Sequence, residues 1–229
     1  MTREEAVRRI ERVAEGKLIE LDLDGLELEE LPPEIAKCMQ LETLQLGAVP
    51  INNRWRRNKL TKFPDVVLGL TNLKKLELSF NQITQLPEGI GQLSNLTELC
   101  VGFNKITQIP EGIGQLSNLT KLWFYGNQIT SIPEGLGQLS NLRELSFHDN
   151  NITSIPEALE QLSNLAKLDL NSNQIASIPK ALGQLSNLTD IDLSQNQITS
   201  IPEVLGQLPN LTDIDLSQNQ ITSIPEVLG

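Results

Sequence analysis

Asparagine returns every 23 residues along most of this chain, at Asn81, Asn104, Asn127, Asn150, Asn173, Asn196 and Asn219. A strict period of this size marks a stacked array, because one unit cannot bury its own apolar face and must lean on an equal neighbour. The unit reads Leu-x-x-Leu-x-Leu-x-x-Asn-x-Ile-x-x-Ile-Pro-Glu-x-Leu-Gly-x-Leu-x-Asn. Two earlier units start at Leu18 (with Leu21, Leu23, Leu28 and Leu31-Pro32) and at Leu41 (with Leu44, Leu46, Asn58, Leu60 and Phe63-Pro64), which makes nine. The text is most literal at the end, where residues 187–206 recur unchanged as 210–229.

The spacing predicts the local structure. Leu-x-x-Leu-x-Leu is a short strand whose alternate residues point inward, in one unit Leu119, Leu122 and Phe124. The Asn turns the chain, and its amide can both donate to and accept from buried backbone groups, so stacked copies form a ladder. Ile129 and Ile132 re-enter the core. Pro133 presets φ for a short helix or turn on the outside, and Leu136 and Leu139 close the core there. With hydrophobic residues at 39% and aromatic residues at 3%, Leu and Ile carry that core.

This is the leucine-rich repeat pattern. The resemblance implies a curved, right-handed α/β solenoid with an inner parallel β-sheet. Residues 1–17 form an N-terminal capping helix, and 18–229 the nine repeats, with an insertion near 47–57 and no C-terminal cap. Thr2 with Glu5 reads as a capping box, and Val7, Ile10, Val13 and Ala14 as the stripe lying on the first coil. The text stops at Gly229 inside an outer segment. That predicts a longer polypeptide, or a copy covering an apolar end and so self-association through it.

Composition narrows the partner. A formal net charge of −11 argues against nucleic acid and anionic membranes. No apolar run approaches the roughly 20 residues that span a bilayer, and the start, MTREEAVRRIERVAEG, is not a signal peptide. Two distant cysteines, Cys38 and Cys100, fit a reducing, cytoplasmic setting. The sequons at Asn95, Asn118 and Asn187 then read as by-products of the period.

Chemistry is sparse. The single histidine, His148, is expected to point outward beside Asp149, with Ser146 the sole nearby nucleophile, so an enzyme is the least expected class. Asp169, Asp192 and Asp215 share one column, with Asp190 and Asp213 beside it. A solvated acidic surface is preferred there to a Ca²⁺ site, and neither metal nor cofactor is assigned.

The outward strand positions carry the strongest functional signal. Phe80, Phe103, Trp123 and Tyr125 fall with His148 on four consecutive coils, although the chain holds five Phe, two Trp and one Tyr in all. Exposed aromatic residues among polar ones are the usual make-up of a protein-binding hot spot. Lys121 and Arg143, with Glu77, Glu98, Glu144 and Lys167, supply a charged rim. A sugar platform is a rival for the same rings. The insertion adds a basic island, Arg54, Trp55, Arg56 and Arg57, read in two ways. It docks an acidic partner or other domains of the same polypeptide, or it folds against the flank with Trp55 packed down.

The capping helix, the opening LIELDLDGLELEELPPEIAKCMQLETLQLG, and the basic, Trp-containing insert followed by NKLT together resemble the N-terminal repeats of bacterial Roco proteins. That resemblance implies the recognition or regulatory arm of a signalling GTPase, binding a protein through its concave face. The Gly-x-x-x-x-Gly-Lys-Ser/Thr loop of the GTPase is absent from these 229 residues. Two other readings fit the repeats: a designed or purely structural array without a partner, and a secreted, effector-type protein.

Overall fold

The computed structural model describes residues 2–51 and 54–226. Asn52 and Asn53 of the insertion, and Val227–Gly229, on which the expected uncapped end rests, lie outside the described residues. Helix α1 (Thr2–Gly16) is followed by strands β1 (Glu20–Asp22), β2 (Thr43–Gln45), β3 (Ala48–Ile51), β4 (Arg54–Arg57), β5 (Lys75–Glu77), β6 (Glu98–Cys100) and β7 (Lys121–Trp123). Then come β8 (Glu144–Ser146), β9 (Lys167–Asp169), β10 (Asp190–Asp192) and β11 (Asp213–Asp215). All but β3 and β4 join one parallel sheet of nine strands in chain order. Each pairs with the next in unshifted register, so Leu99 faces Leu122 and Cys100 faces Trp123. The repeat explains this register. Equal units place the same residue at the same height, and any slip would turn the buried Leu outward.

The core fills the space between this sheet and an outer wall of five-residue 3-10 turns. In the fifth coil Leu119, Leu122, Phe124, Ile129, Leu136 and Leu139 are fully buried. Phe124 stacks on Phe147 of the next coil at 5.4 Å. Proline stands one residue earlier than expected relative to the outer turn: Pro133 is extended, at φ −71° and ψ 147°, and the turn is Glu134–Gln138.

Two asparagine ladders run along the stack. In the inner one Asn104 accepts the Ile83 N–H at 2.9 Å. Its Nδ2 donates to the carbonyls of Leu78 and Val101, at 3.0 Å each, and of Gly102, at 3.1 Å. Asn81, Asn127, Asn150, Asn173 and Asn196 repeat this bond set, so the buried groups of every turn are satisfied. An outer, exposed ladder uses the Asn that closes each unit: Asn118 donates to the Ser94 carbonyl at 2.9 Å and Asn141 to Ser117 at 2.8 Å. Sequon residues Asn95, Asn118 and Asn187 thus have their amide nitrogens engaged in the fold.

Helix α1 covers the β1 end of the array. Its buried face is Ala6, Ile10 and Val13, with Ala14 partly buried. Ala6 takes the place expected of Val7, which is half-buried. The expected capping box is also revised: Thr2 lies within the helix, and the Glu5 carboxylate accepts from Arg8 and Arg9. Arg9 donates to the Asp22 carbonyl at 2.9 Å, and Gln40 donates to those of Val13 and Leu18, tying helix to coil. At the other end Ile214, Leu216 and Ile221 are half-buried and Ile224 is 67% exposed.

The insertion is a two-stranded antiparallel hairpin, with Ala48 opposite Arg57 and Pro50 opposite Trp55. Its position in the coil is set by the turn before the ladder Asn. At that slot each of the other coils holds a residue in the left-handed region: Gly25, Phe80, Phe103, Gly126, Asp149, Ser172, Gln195 and Gln218, with φ between 49° and 65°; the first coil, where Leu26 stands in place of the Asn, adds Glu27 at 55°. In the second coil that single residue is replaced by the hairpin. Asn58 then resumes the ladder, donating to Leu23 at 2.9 Å and Leu46 at 3.0 Å, so the frame is undisturbed.

Candidate functional site

Splicing the hairpin into that slot carries Trp55 to the same edge of the concave face as Phe80. The indole stacks on the Phe80 ring at 5.5 Å and 7° between planes. Phe80 stacks on Phe103 at 4.6 Å, Phe103 meets Tyr125 edge to face at 5.3 Å, and Tyr125 stacks on His148 at 4.9 Å and 5°. Five rings from five consecutive coils therefore make one continuous row. It stays open to solvent, with Trp55 60% and Phe103 43% exposed.

The row changes column midway. Phe80 and Phe103 come from the left-handed slot, whereas Tyr125 and His148 come from the position before it. Glycines permit the crossing. A Cβ on Gly102 would lie 2.2 Å from the Tyr125 ring, and one on Gly126 2.6 Å from the Phe103 ring, with φ already +65°. So Tyr125 leans back over Gly102 and Phe103 leans forward over Gly126. The small residues are placed where the rings need room, which marks the row as a built feature rather than a scatter of apolar substitutions. Sequence reading picked out both columns and the aromatic cluster. It set Trp55 apart, because contact through a hairpin in a neighbouring coil leaves no spacing signal. The one legible hint was the exchange of Gly102-Phe103 for Tyr125-Gly126.

The remaining predicted residues take distinct places. Trp123 sits one column over, on β7, out of the stacked row. Lys121 Nζ lies 5.4 Å from the Trp123 ring centre and 3.7 Å from Glu144. Trp123, Tyr125 and His148 share a shallow groove of about 390 Å³ with Lys167 and Asp169. Arg143 is exposed just before β8, and Glu98 pairs with Lys75 at 3.2 Å. On the hairpin Arg54, Arg56 and Arg57 are exposed, and Arg56 reaches Glu27 at 3.4 Å. Of the two readings of the insertion, the packed one is met in part: Trp55 packs, but onto the ring row and largely in the open.

His148 bonds to Asp169 of the next coil rather than to Asp149, its neighbour in sequence. Its Nδ1 lies 2.9 Å from Asp169 Oδ2 and 3.0 Å from Ser146 Oγ, and Ser146 also donates to Asp169. A nucleophile–His–Asp relay needs the serine and the carboxylate on opposite ring nitrogens. Here both crowd Nδ1, so Ser146 is not activated. Cys100 is no better placed. Burial, and then Glu77, push its thiol up to about 11, so it stays protonated. The acidic column is spent on its own turns, with Asp169 accepting the Asn171 N–H, Asp192 that of Ser194 and Asp215 that of Ser217. Among the described residues no group of three or more potential metal ligands converges.

The Asp169 hydrogen bond raises the His148 pKa above 6.5 against the opposing effect of burial, with help from the charges of Asp169, Asp149 and Asp192. The stability this adds is fully present below pH 6.5 and is lost as pH rises through the raised value. As His148 is the single histidine, one imidazole NMR titration reads it directly. The expected midpoint lies above 6.5 and falls in Asp169→Asn; an unchanged midpoint in that variant removes Asp169 as the cause.

A family model described as a leucine-rich repeat region matches residues 63–175, and a second leucine-rich repeat model matches 163–221. Among solved structures, a leucine-rich repeat protein of Leptospira interrogans superposes with a TM-score of 0.79 at 30% identity, over 92% of this chain and 57% of that one. The ectodomain of the Arabidopsis receptor kinase HAESA, in complex with an N-terminally extended IDA peptide hormone, gives 0.77 at 28% identity, over 91% of this chain and 36% of the receptor's. The chain thus spans from about a third to under two thirds of the length of these structures. No curated protein sequence matches it.

Proposed function

Since the chain folds as a leucine-rich-repeat solenoid, we propose that it is a recognition module holding a protein or peptide partner on its concave face, centred on the ring row. The observation that carries this reading is the continuous row itself, Trp55–Phe80–Phe103–Tyr125–His148, left open to solvent while glycines make room for it. Partly desolvated aromatic anchors inside a charged rim are where binding energy concentrates. The HAESA structure, solved with a peptide hormone, lends support from a similar fold. The sugar-platform alternative loses ground, because stacking on sugars needs free ring faces. Phe80 has a ring stacked on each side, and Tyr125 lies between Phe103 and His148.

In the finer form of this reading the module is the recognition arm of a Roco-like GTPase in the cytoplasm, regulating it through the bound partner. The basic, Trp-bearing insert in an early repeat and the two unpaired, buried thiols support it. A P-loop encoded after Gly229 in the same reading frame would agree with that form, and a frame closing there would contradict it.

A photo-crosslinking residue tests the face. Benzoylphenylalanine at Phe103 should trap a discrete protein or peptide in native extract, whereas the same group at Gln138 on the outer wall should not. Equal yields at both positions would remove the concave face as the binding surface.

A further inference from the structure

We infer that the partner segment is an extended peptide with an acidic end, and that the acidic end lies over the β3–β4 hairpin while the rest runs along the edges of the ring row. This rests on the reading of the concave face as a docking surface and adds the chemistry and orientation of the occupant.

Three observations lead to it. The first is which parts of the rings remain available. Stacking at 4.6 to 5.5 Å engages both faces of Phe80 and one face each of Trp55, Phe103, Tyr125 and His148, so much of what the row offers along its length is ring edge. An aromatic ring is negative on its faces and positive at its edge, so this rim attracts carbonyl and carboxylate oxygens rather than cations. The second is the charge at the Trp55 end. Arg54, Trp55, Arg56 and Arg57 are all exposed on one short strand; Arg54 adjoins Trp55 in sequence and Arg57, two residues on, shares the face of the indole that begins the row. The protein as a whole carries −11, so this is a local positive island. Arginine matches a carboxylate in a planar, two-bond geometry. The third is the opposite end, where the strand positions beyond His148 hold Asp169, Asp190, Asp192, Asp213 and Asp215. These carboxylates repel an acidic residue placed there, so the charge of the peptide is read in one order only.

The row also sets a length. Trp55 to His148 spans four coil intervals at about 4.8 Å each, or roughly 19 Å, and an extended chain rises about 3.3 Å per residue. An acidic cluster followed by about six residues that bring no carboxylate to the Asp-rich end satisfies the surface. The peptide lies along the stack, the direction in which the rings are continuous.

Panning a random dodecapeptide library on the intact chain tests this. The expected pool carries Asp or Glu clustered at one end and depleted at the other. Against Arg54→Glu/Arg57→Glu, which changes exposed side chains only, pool peptides should lose about ten-fold or more in affinity, and a fresh selection should lose the acidic cluster. Against Phe103→Ala/Tyr125→Ala the same peptides should also fail. Peptides that need the rings but show no charge order, or that ignore the arginine exchange, overturn this inference and leave the docking reading intact. Peptides that bind both variants as they bind the parent, or a library with no enrichment, overturn both.

Discussion

Asn150→Ala is expected to cost about 3 kcal/mol, and Asn164→Ala under about 1 kcal/mol, although both remove an asparagine from a ladder of the same array. The difference lies in what each leaves behind. Asn150 is 8% exposed and donates to the carbonyls of Phe147, Phe124 and His148, at 2.9, 3.1 and 3.3 Å, while accepting the Ile129 N–H at 3.0 Å. Alanine strands these groups in the core, and an unpaired buried group costs about 1–3 kcal/mol. Asn164 donates to the Ser140 carbonyl at 2.8 Å in an exposed position, and water can replace that bond. In a one-dimensional stack the inner loss falls on the junction between coils, so native-state hydrogen exchange should show faster opening on both sides of residue 150. Equal destabilisation by the two changes would mean that the inner amides are not the ties holding neighbouring turns.

The second large effect is on binding. Phe103→Ala/Tyr125→Ala should weaken a true partner by about 2 kcal/mol or more, the usual size for central aromatic anchors. The two rings meet at 5.3 Å where the row changes column, so removing both splits it into a Trp55–Phe80 pair and a lone His148. Folding should change far less, because both side chains are partly open and the core rings Phe124 and Phe147 are untouched. The two variants thus separate the ladder that builds the array from the row that uses it.

The fold was legible because its determinants are periodic. An Asn or Leu that returns every 23 residues declares both its coil and its height, so sheet, register and inner ladder follow from the text. Capping detail was less so. Ala6 rather than Val7 faces the core since the angle of α1 on the first coil is a tertiary choice. The site was half legible. Phe80, Phe103, Tyr125 and His148 stood out as aromatic departures from polar columns. Trp55 did not join them on paper, because its position depends on how a hairpin leaves the left-handed slot. The bond partner of His148 was not legible for a similar reason. Asp149 is its neighbour in sequence, but Asp169 is its neighbour across the parallel pairing of β8 with β9, and Nδ1 reaches across coils at 2.9 Å.

The claim on which the functional account turns is that the open ring row is where a partner is held. Titration of a partner trapped from position 103 onto parent and Phe103→Ala/Tyr125→Ala chains, with melting temperatures measured alongside, tests it most directly. The account predicts a loss of about 30-fold or more in Kd with little change in melting. An unchanged Kd with an intact fold would contradict it.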